Sequence, residues 1–490
     1  MKEFFRVLRT VWGMAFALLI ILPAIAGAEG EIPITTKSDE ARKIFVQARQ
    51  LFDNIRFDEA RELFSKAVEK DPDFALAHLY RAFTNTSAMD FQNHLQKAAT
   101  LAPKVSEGER LMIEATQANA ENNPIKALQL SEQLVQKYPN DKYAHQNLAF
   151  AYSGRDEDDK AIAELEKAIA IDKSFTSAYN SLGYAYYGKG DYQKGEEAFK
   201  NYIRLVPSEA NPYDSLADLY TKMGRYEEAI QNYKKAVELN PKFAFSQAKI
   251  GTNLVLLGKY QEGREAVRKA MEMQTTPAGK VLEMRTIARS FIYEGNPQQA
   301  IVEFDNALKM ATAAGLPEQQ ASIHSVKCLV NLETGNLGQA EQSLAACKKV
   351  VMGSELSAAT KENFAKGALY NEAMIAAKRK DFAKAMAKTE EYKAKIEAGK
   401  DPKEMENHHA LLGRIHSEKG DYAKALVHLK QANQENPYYL YLLAVAESKV
   451  GDKARAAELF KKVANWNEDS MNYAFVRSKA IMAVKKETPN

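Results

Sequence analysis

Residues 211–241 read NPYDSLADLYTKMGRYEEAIQNYKKAVELNP, and the same pattern begins again 34 residues earlier. Tyr213, Leu216, Ala217 and Tyr220 recur at the spacing of one helix face. Gly224 interrupts the run at a turn, and Ala229, Tyr233 and Ala236 make the stripe of a second helix. Asn240-Pro241 closes that helix, because proline cannot continue it. Tyr179, Leu182, Gly183, Tyr186, Gly190, Phe199 and Pro207 fill the same slots one period back. A further period back stand His145, Leu148, Ala149, Tyr152, Ala161, Leu165 and Ala168, with Lys173 in place of Pro. Ala60, Phe64, Ala67 and Pro72 end an early copy. Leu412, Gly413, Gly420, Ala425, Leu429, Ala432 and Pro437 form a late one. A two-helix unit of this size cannot bury its apolar faces alone, so such units must stack.

The slots W-L-G-Y…A…F…A…P and the 34-residue period resemble the tetratricopeptide repeat, a helix-turn-helix unit. The resemblance covers about residues 41–464. It implies an all-α fold, a right-handed superhelical solenoid of about twelve tetratricopeptide-like repeats. Units are expected to start near residues 41, 75, 108, 142, 176, 210, 244, 281, 321, 366, 406 and 437. The array divides into a regular part, 41–275, and a part with lengthened repeats, 281–464. The extra residues are expected as loops at 311–317, 352–361 and 396–404, marked by Gly353, Ser354, Gly399 and Pro402. In the second unit the turn has no Gly, and its second helix is expected to be short. Residues 466–490 fall outside the repeat. Met471, Phe475, Ser478 and Met482 suggest a terminal helix that covers the last exposed core edge.

Residues 1–28 read as an export signal: Lys2, Arg6 and Arg9 precede an uncharged run, then Pro23 and small residues at 24–28. Residues 29–40 follow as a linker. Retained instead of cleaved, residues 10–28 could anchor the chain, since about 20 apolar residues span a bilayer core. Periplasmic or secreted location is expected in the first case, and membrane anchoring in the second. The net charge of +3, from 67 basic and 64 acidic residues, is too small for a nucleic-acid binder. Removing Lys2, Arg6, Arg9 and Glu3 with the signal would leave +1.

No enzyme and no cofactor is expected, because no catalytic or nucleotide-binding motif is present. Gly251, Gly258 and Lys259 imitate a phosphate loop, but the gap is wrong and Tyr260 stands where Ser or Thr belongs. His408, His409, His416 and His428 cluster, and a metal or catalytic site near 408–428 is the minor alternative. The prevailing expectation is histidines in slots that hold Tyr213 and Tyr220 in the sixth unit. Asp156, Glu157, Asp158 and Asp159 are expected to form a solvated turn at a helix N-terminus. Cys328 and Cys347 are the chain's two cysteines. Their offset within one hairpin predicts two buried thiols and no disulfide.

By resemblance, the first helix of each hairpin lines a concave surface that takes peptide or helix segments of a protein partner. Inward candidates are Gln146, Asn147 and Phe150 in the fourth unit, and Asn180, Tyr184 and Tyr187 in the fifth. Asp214, Asp218 and Thr221 follow in the sixth, and Arg285 and Arg289 in the eighth. Amides can pair backbone groups, and rigid rings supply contact area. The change from Asp214 and Asp218 to Arg285 and Arg289 suggests a partner with separated basic and acidic segments. The family's carboxylate clamp needs Lys and Arg at inward slots, and Gln146, Phe150, Ser181, Asn211 and Ser215 stand there instead.

Overall fold

A computed structural model describes residues 30–85, 87–399 and 404–487. The expected signal and anchor segment, 1–28, lies outside them. The described residues are helical, with no strand among them. The chain divides after Pro207 into two compact units.

Unit 1 holds five hairpins. They are α1 (Asp39–Asp53) with α2 (Phe57–Lys70), and α3 (Ala75–Phe83) with α4 (Ala88–Leu101). Then come α5 (Glu107–Ala120) with α6 (Pro124–Lys137), α7 (Lys142–Ser153) with α8 (Asp158–Ile171), and α9 (Thr176–Lys189) with α10 (Tyr192–Leu205). Unit 2 holds seven more. They are α11 (Asn211–Lys222) with α12 (Tyr226–Leu239), α13 (Ala244–Leu256) with α14 (Tyr260–Met273), and α15 (Pro277–Glu294) with α16 (Pro297–Ala313). The last four are α17 (Pro317–Glu333) with α18 (Leu337–Met352), α19 (Ala358–Lys378) with α20 (Phe382–Gly399), α21 (Glu404–Lys419) with α22 (Tyr422–Leu429), and α23 (Pro437–Val450) with α24 (Lys453–Ala464). A terminal helix α25 (Met471–Glu487) ends the described chain. Within each unit, helices pack against their hairpin partner and against the next hairpin, which is the stacking of an all-α tetratricopeptide-like solenoid.

The turns explain the glycine spacing. Between the two helices of a hairpin one residue adopts a left-handed conformation, and Gly190, Gly224, Gly258, Gly295, Gly335, Gly420 and Gly451 do so without strain. Ile55, Asn122 and Lys380 take the same conformation in hairpins whose turns lack Gly, and Asp156 does so in a turn whose Gly154 is right-handed. The small slots have a steric cause. A Cβ on Gly251 would come within 2.6 Å of the Gly263 carbonyl, and one on Gly263 within 2.7 Å of the Gly251 carbonyl. The backbones of α13 and α14 therefore touch, and both glycines of the false phosphate loop are structural.

Three sequence expectations are corrected. In the second hairpin it is the first helix, α3, that is short at 9 residues, while α4 has 14. In the lengthened repeats most of the added chain is helix. From α5 to α14 helices run 12 to 14 residues, whereas α15 has 18 and α19 has 21. Only 314–316 and 353–357 remain as loops at the first two sites, and Gly399 ends a helix, while Pro402 lies outside the described residues. The buried residues of α25 are Tyr473, Ala474, Phe475, Val476 and Ala480, so of the expected face Phe475 is buried while Ser478 and Met482 (55%) are exposed. Besides α24, α25 packs on α23 and on α15, and so bridges helices far apart in the chain.

Candidate partner-binding site

In unit 1 the inner helices face a strap. Residues 30–37, assigned to a linker by sequence, run across the starts of successive hairpins. The Ile32 amide donates to Asp141 Oδ2 (2.9 Å), the Thr35 amide to Glu109 Oε1 (2.8 Å), and the Lys37 amide to Asp71 Oδ2 (3.0 Å). The Thr35 and Thr36 hydroxyls donate to Glu109 and Asp71. Glu109 is fully buried and also closes the capping box of α5 with Ser106. Ile32 sits with Arg49, Leu76, Tyr80, Met112 and Tyr143 around a space of about 10 Å³, room for one water at most. Arg49 lies 4.3 Å over the Tyr143 ring, and Tyr143 donates to Asp53 (2.8 Å). Burial pushes the Asp53 carboxyl up to about 6 despite that bond. The inner face from the first hairpin to the start of the fourth is thus filled by the chain itself.

Further along unit 1 the predicted residues divide. Gln146 is buried, donates to Ser177 (2.6 Å) and joins the fourth hairpin to the fifth. Asn147 accepts from Ser131 (2.7 Å). Phe150 and Tyr184 are exposed, at 55% and 38%. Tyr184 meets Tyr187 edge-on at 6.2 Å and Phe199 at 5.1 Å, so its ring is held by packing. Asn180 and Tyr187 are half-buried on the same helix.

In unit 2 most of the predicted charges are met internally. Lys249, on the next inner helix, reaches both Asp214 (3.0 Å) and Asp218 (2.8 Å). Burial nevertheless holds the Asp214 carboxyl above its ordinary range. Tyr233 donates to Asp218, and Thr221 donates to Asn253. Arg289 is clamped by Asp469, with Nε and Nη2 donating to its two carboxylate oxygens (2.9 and 2.5 Å). Arg285 donates to Ser322 (3.0 Å) and has no carboxylate partner among the described residues. The suggested alternation of free acidic and basic patches is therefore absent for Asp214, Asp218 and Arg289. Lys249 and Asp469, the partners that remove it, lie one hairpin and 180 residues away and carry no local signal.

The segment after α24 and α25 itself close unit 2. Asp469 holds Arg289, Tyr293 Oη donates to the Ser470 carbonyl (3.2 Å), and Tyr226 donates to Asn467 (2.6 Å). Arg477 donates to the Leu256 carbonyl (2.8 Å). Inside this closure lies a cleft of about 300 Å³ formed by α17, α19, α21, α23 and α25. Phe364, Tyr370, Tyr438 and Tyr439 give it aromatic walls, and Asn371 and Asn472 contribute amides. Below them Arg414 pairs with Glu333 (2.8 Å), while Tyr438 donates to Glu333 (2.7 Å) and accepts from Arg414 (3.1 Å). Sequence reasoning named none of these residues. The only available signal was the Tyr438-Tyr439-Leu440-Tyr441 run at the start of a first helix.

The other chemical candidates resolve as structure. His409, His416 and His428 stack, with ring centroids 5.5 and 5.6 Å apart along the row. Burial lowers the pKa of all three, and of His408. Among the described residues no group of three or more metal-ligating side chains could hold an ion. Cys328 and Cys347 are free, buried thiols, as expected, and burial pushes Cys328 up to about 12. Asp158 and Asp159 lie in the first turn of α8, and Glu157 bridges Arg155 and Lys160. No described helix is long and apolar enough to cross a membrane.

Family models described as tetratricopeptide repeat match residues 45–82, 176–208 and 215–243, and one described as TPR repeat matches 155–190. No curated protein matches the chain. Among solved structures, a tetratricopeptide repeat protein from Parabacteroides merdae is 13% identical, with 54% of this chain and 99% of that one covered and a TM-score of 0.40. MamA from Desulfovibrio magneticus is 17% identical, covering 35% and 98%, at a TM-score of 0.31. YrrB, titled a TPR protein with an unusual peptide-binding site, is 21% identical, covering 37% and 91%, at 0.29. With matched repeats in both units and hairpins of the same build between and after them, this chain is a tetratricopeptide-repeat protein.

Proposed function

We propose that the chain is a non-catalytic protein-interaction scaffold of the cell envelope or exterior, which holds peptide or helix segments of a partner on inner helices of its hairpins. The observation that carries this reading is the pair Phe150 and Tyr184, exposed rings on α7 and α9, the inner helices that follow the last strap contact at Asp141. Aromatic anchors of this kind supply most of the energy in many interfaces. The amides of Asn147 and Asn180 beside them suit an extended backbone. Export rests on the sequence of residues 1–28 alone, where Pro23 and the small residues that follow favour cleavage over retention as an anchor. An intact mass beginning near residue 29 supports export, and a mass that includes residues 10–28 supports the anchored assembly factor.

The test of the scaffold is affinity capture with the exported chain and with a Phe150→Ala, Tyr184→Ala double variant. Both positions are exposed, so the variant is expected to fold and to lose the specific partner. A variant that retains every specific partner overturns the assignment to this surface.

A further inference from the structure

The cleft of unit 2 differs from the other inner surfaces in being roomy, aromatic and short of polar partners. Its volume of about 300 Å³ lies at the lower end of small-ligand sites. Its floor is electrically closed, because Arg414 and Glu333 neutralise each other under Tyr438. The amides of Asn371 and Asn472 line it, and neither makes a hydrogen bond to another described residue.

Charge at its edge is unbalanced. Arg285 donates to Ser322, a residue of the cleft wall, and forms no ion pair with another described residue. Its neighbour Arg289 is already matched by Asp469, and Lys327 on the same wall helix is matched by Asp305. Glu283 lies two residues from Arg285, about 200° around the helix, and is buried with Gln274. A guanidinium has five donors in a planar fork, and one of these is used here. One positive charge therefore stands beside an aromatic cavity with no carboxylate to meet it.

We propose that this cleft binds a small monocarboxylate with an apolar or aromatic body, its carboxylate on Arg285 and its body among Tyr370, Tyr438 and Tyr439. A single negative charge balances the site, whereas a phosphate dianion would leave one in excess. Asn371 and Asn472 then pair an amide or hydroxyl of the ligand. Helix α25 contributes Asn472 to the site, whose other walls come from α17, α19, α21 and α23. It shares no residue with the Phe150 and Tyr184 surface, so failure of one proposal leaves the other intact. A free aromatic acid and the carboxyl end of a peptide share this chemistry.

Titration calorimetry with the full exported chain separates the cases. The probes are 3-phenylpropanoate, its amide, N-acetyl-Leu-Phe with a free carboxylate, and N-acetyl-Leu-Phe-amide. At least one carboxylate is expected to bind with a Kd below about 1 mM, and its amide about tenfold or more weaker. The source is the free acid if phenylpropanoate binds the tighter, and a chain end if the dipeptide does. Arg285→Gln should abolish the preference for carboxylate over amide, and Arg285→Lys should retain part of it. Tyr370→Ala should weaken acid and amide alike. Thermal unfolding of each variant confirms that it is folded. Equal binding of acid and amide by the natural chain, an unchanged preference in folded Arg285→Gln, or no binding of any probe overturns the proposal.

Discussion

Both units use an end of the described chain to cover their inner helices, and they do it differently. Unit 1 lays down an extended strap, residues 30–37, whose amides and hydroxyls are tied to Asp71, Glu109 and Asp141. Unit 2 swings a 17-residue helix back to α15. A strap is thin, and it leaves about 10 Å³ beside Ile32. A helix is about 10–12 Å across, and beside α25 a cleft of about 300 Å³ remains. The helices of hairpins eight to ten, at 16 to 21 residues, are longer than any in unit 1, where the longest has 15. The same repeat thus yields a filled inner face in one unit and a lined cavity in the other.

The contrast can be broken from either side. Tyr473→Ala removes a fully buried ring that packs edge-on against Tyr293 at 6.1 Å and bonds the Ala464 carbonyl. It should destabilise unit 2 by about 3–5 kcal/mol and raise hydrogen exchange on α15, with unit 1 unaffected. Glu109→Ala removes the buried acceptor of the strap and of the capping box, and should cost about 2–4 kcal/mol. Its signature is proteolytic cleavage within 30–37 at protease levels that leave the natural chain intact. A change confined to unit 2 would contradict this account.

Acid should distinguish the units by a smaller margin. His408, His409, His416 and His428 are held below the ordinary histidine pKa chiefly by burial, with mutual repulsion adding at His428. The unfolded chain therefore takes up protons first as pH falls through about 6.5, and unit 2 loses stability there. His428→Gln should flatten that loss, measured by thermal unfolding between pH 7.5 and pH 5.5 (about one unit either side of the free histidine value). In unit 1, Asp53 works in the opposite sense. Its carboxyl sits near 6 when folded and lower when unfolded, so the folded state binds the extra proton and gains stability as pH falls through 6. The smallest effect is expected at Ile55, a β-branched residue at φ 61°, where Ile55→Gly should stabilise the first turn by about 1 kcal/mol or less. An equal gain from Thr334→Gly, whose backbone is right-handed, would refute the strain argument.

The hairpins, their number and the small crossing slots were legible because each is a local pattern repeated many times. Gly224 and Gly420 announce a left-handed turn, and Ala217, Ala229 and Ala236 announce close crossings. The lengthened repeats were misjudged as loops because Gly353 and Gly399 mark helix ends without showing how far the helices run. The face of α25 was misassigned because it packs on two sides, against α15 as well as α24, so no single stripe describes it. Inward residues could be placed on the correct helices, but their partners could not. Asp214 and Asp218 look like free acids until Lys249 is placed beside them, and Arg289 looks free until Asp469 returns from 180 residues away. Long-range closure leaves no periodic mark in the chain.

The central claim is that unit 2 is closed by its own terminal segment, and the Arg289–Asp469 pair is its most exposed consequence. A double-mutant cycle with Arg289→Met and Asp469→Asn measures it by urea unfolding of the full chain. The closure predicts a coupling energy of about 1–3 kcal/mol, since the bidentate pair joins residues that lie 180 positions apart in the chain. Additive effects of the two substitutions, with no coupling, would contradict it.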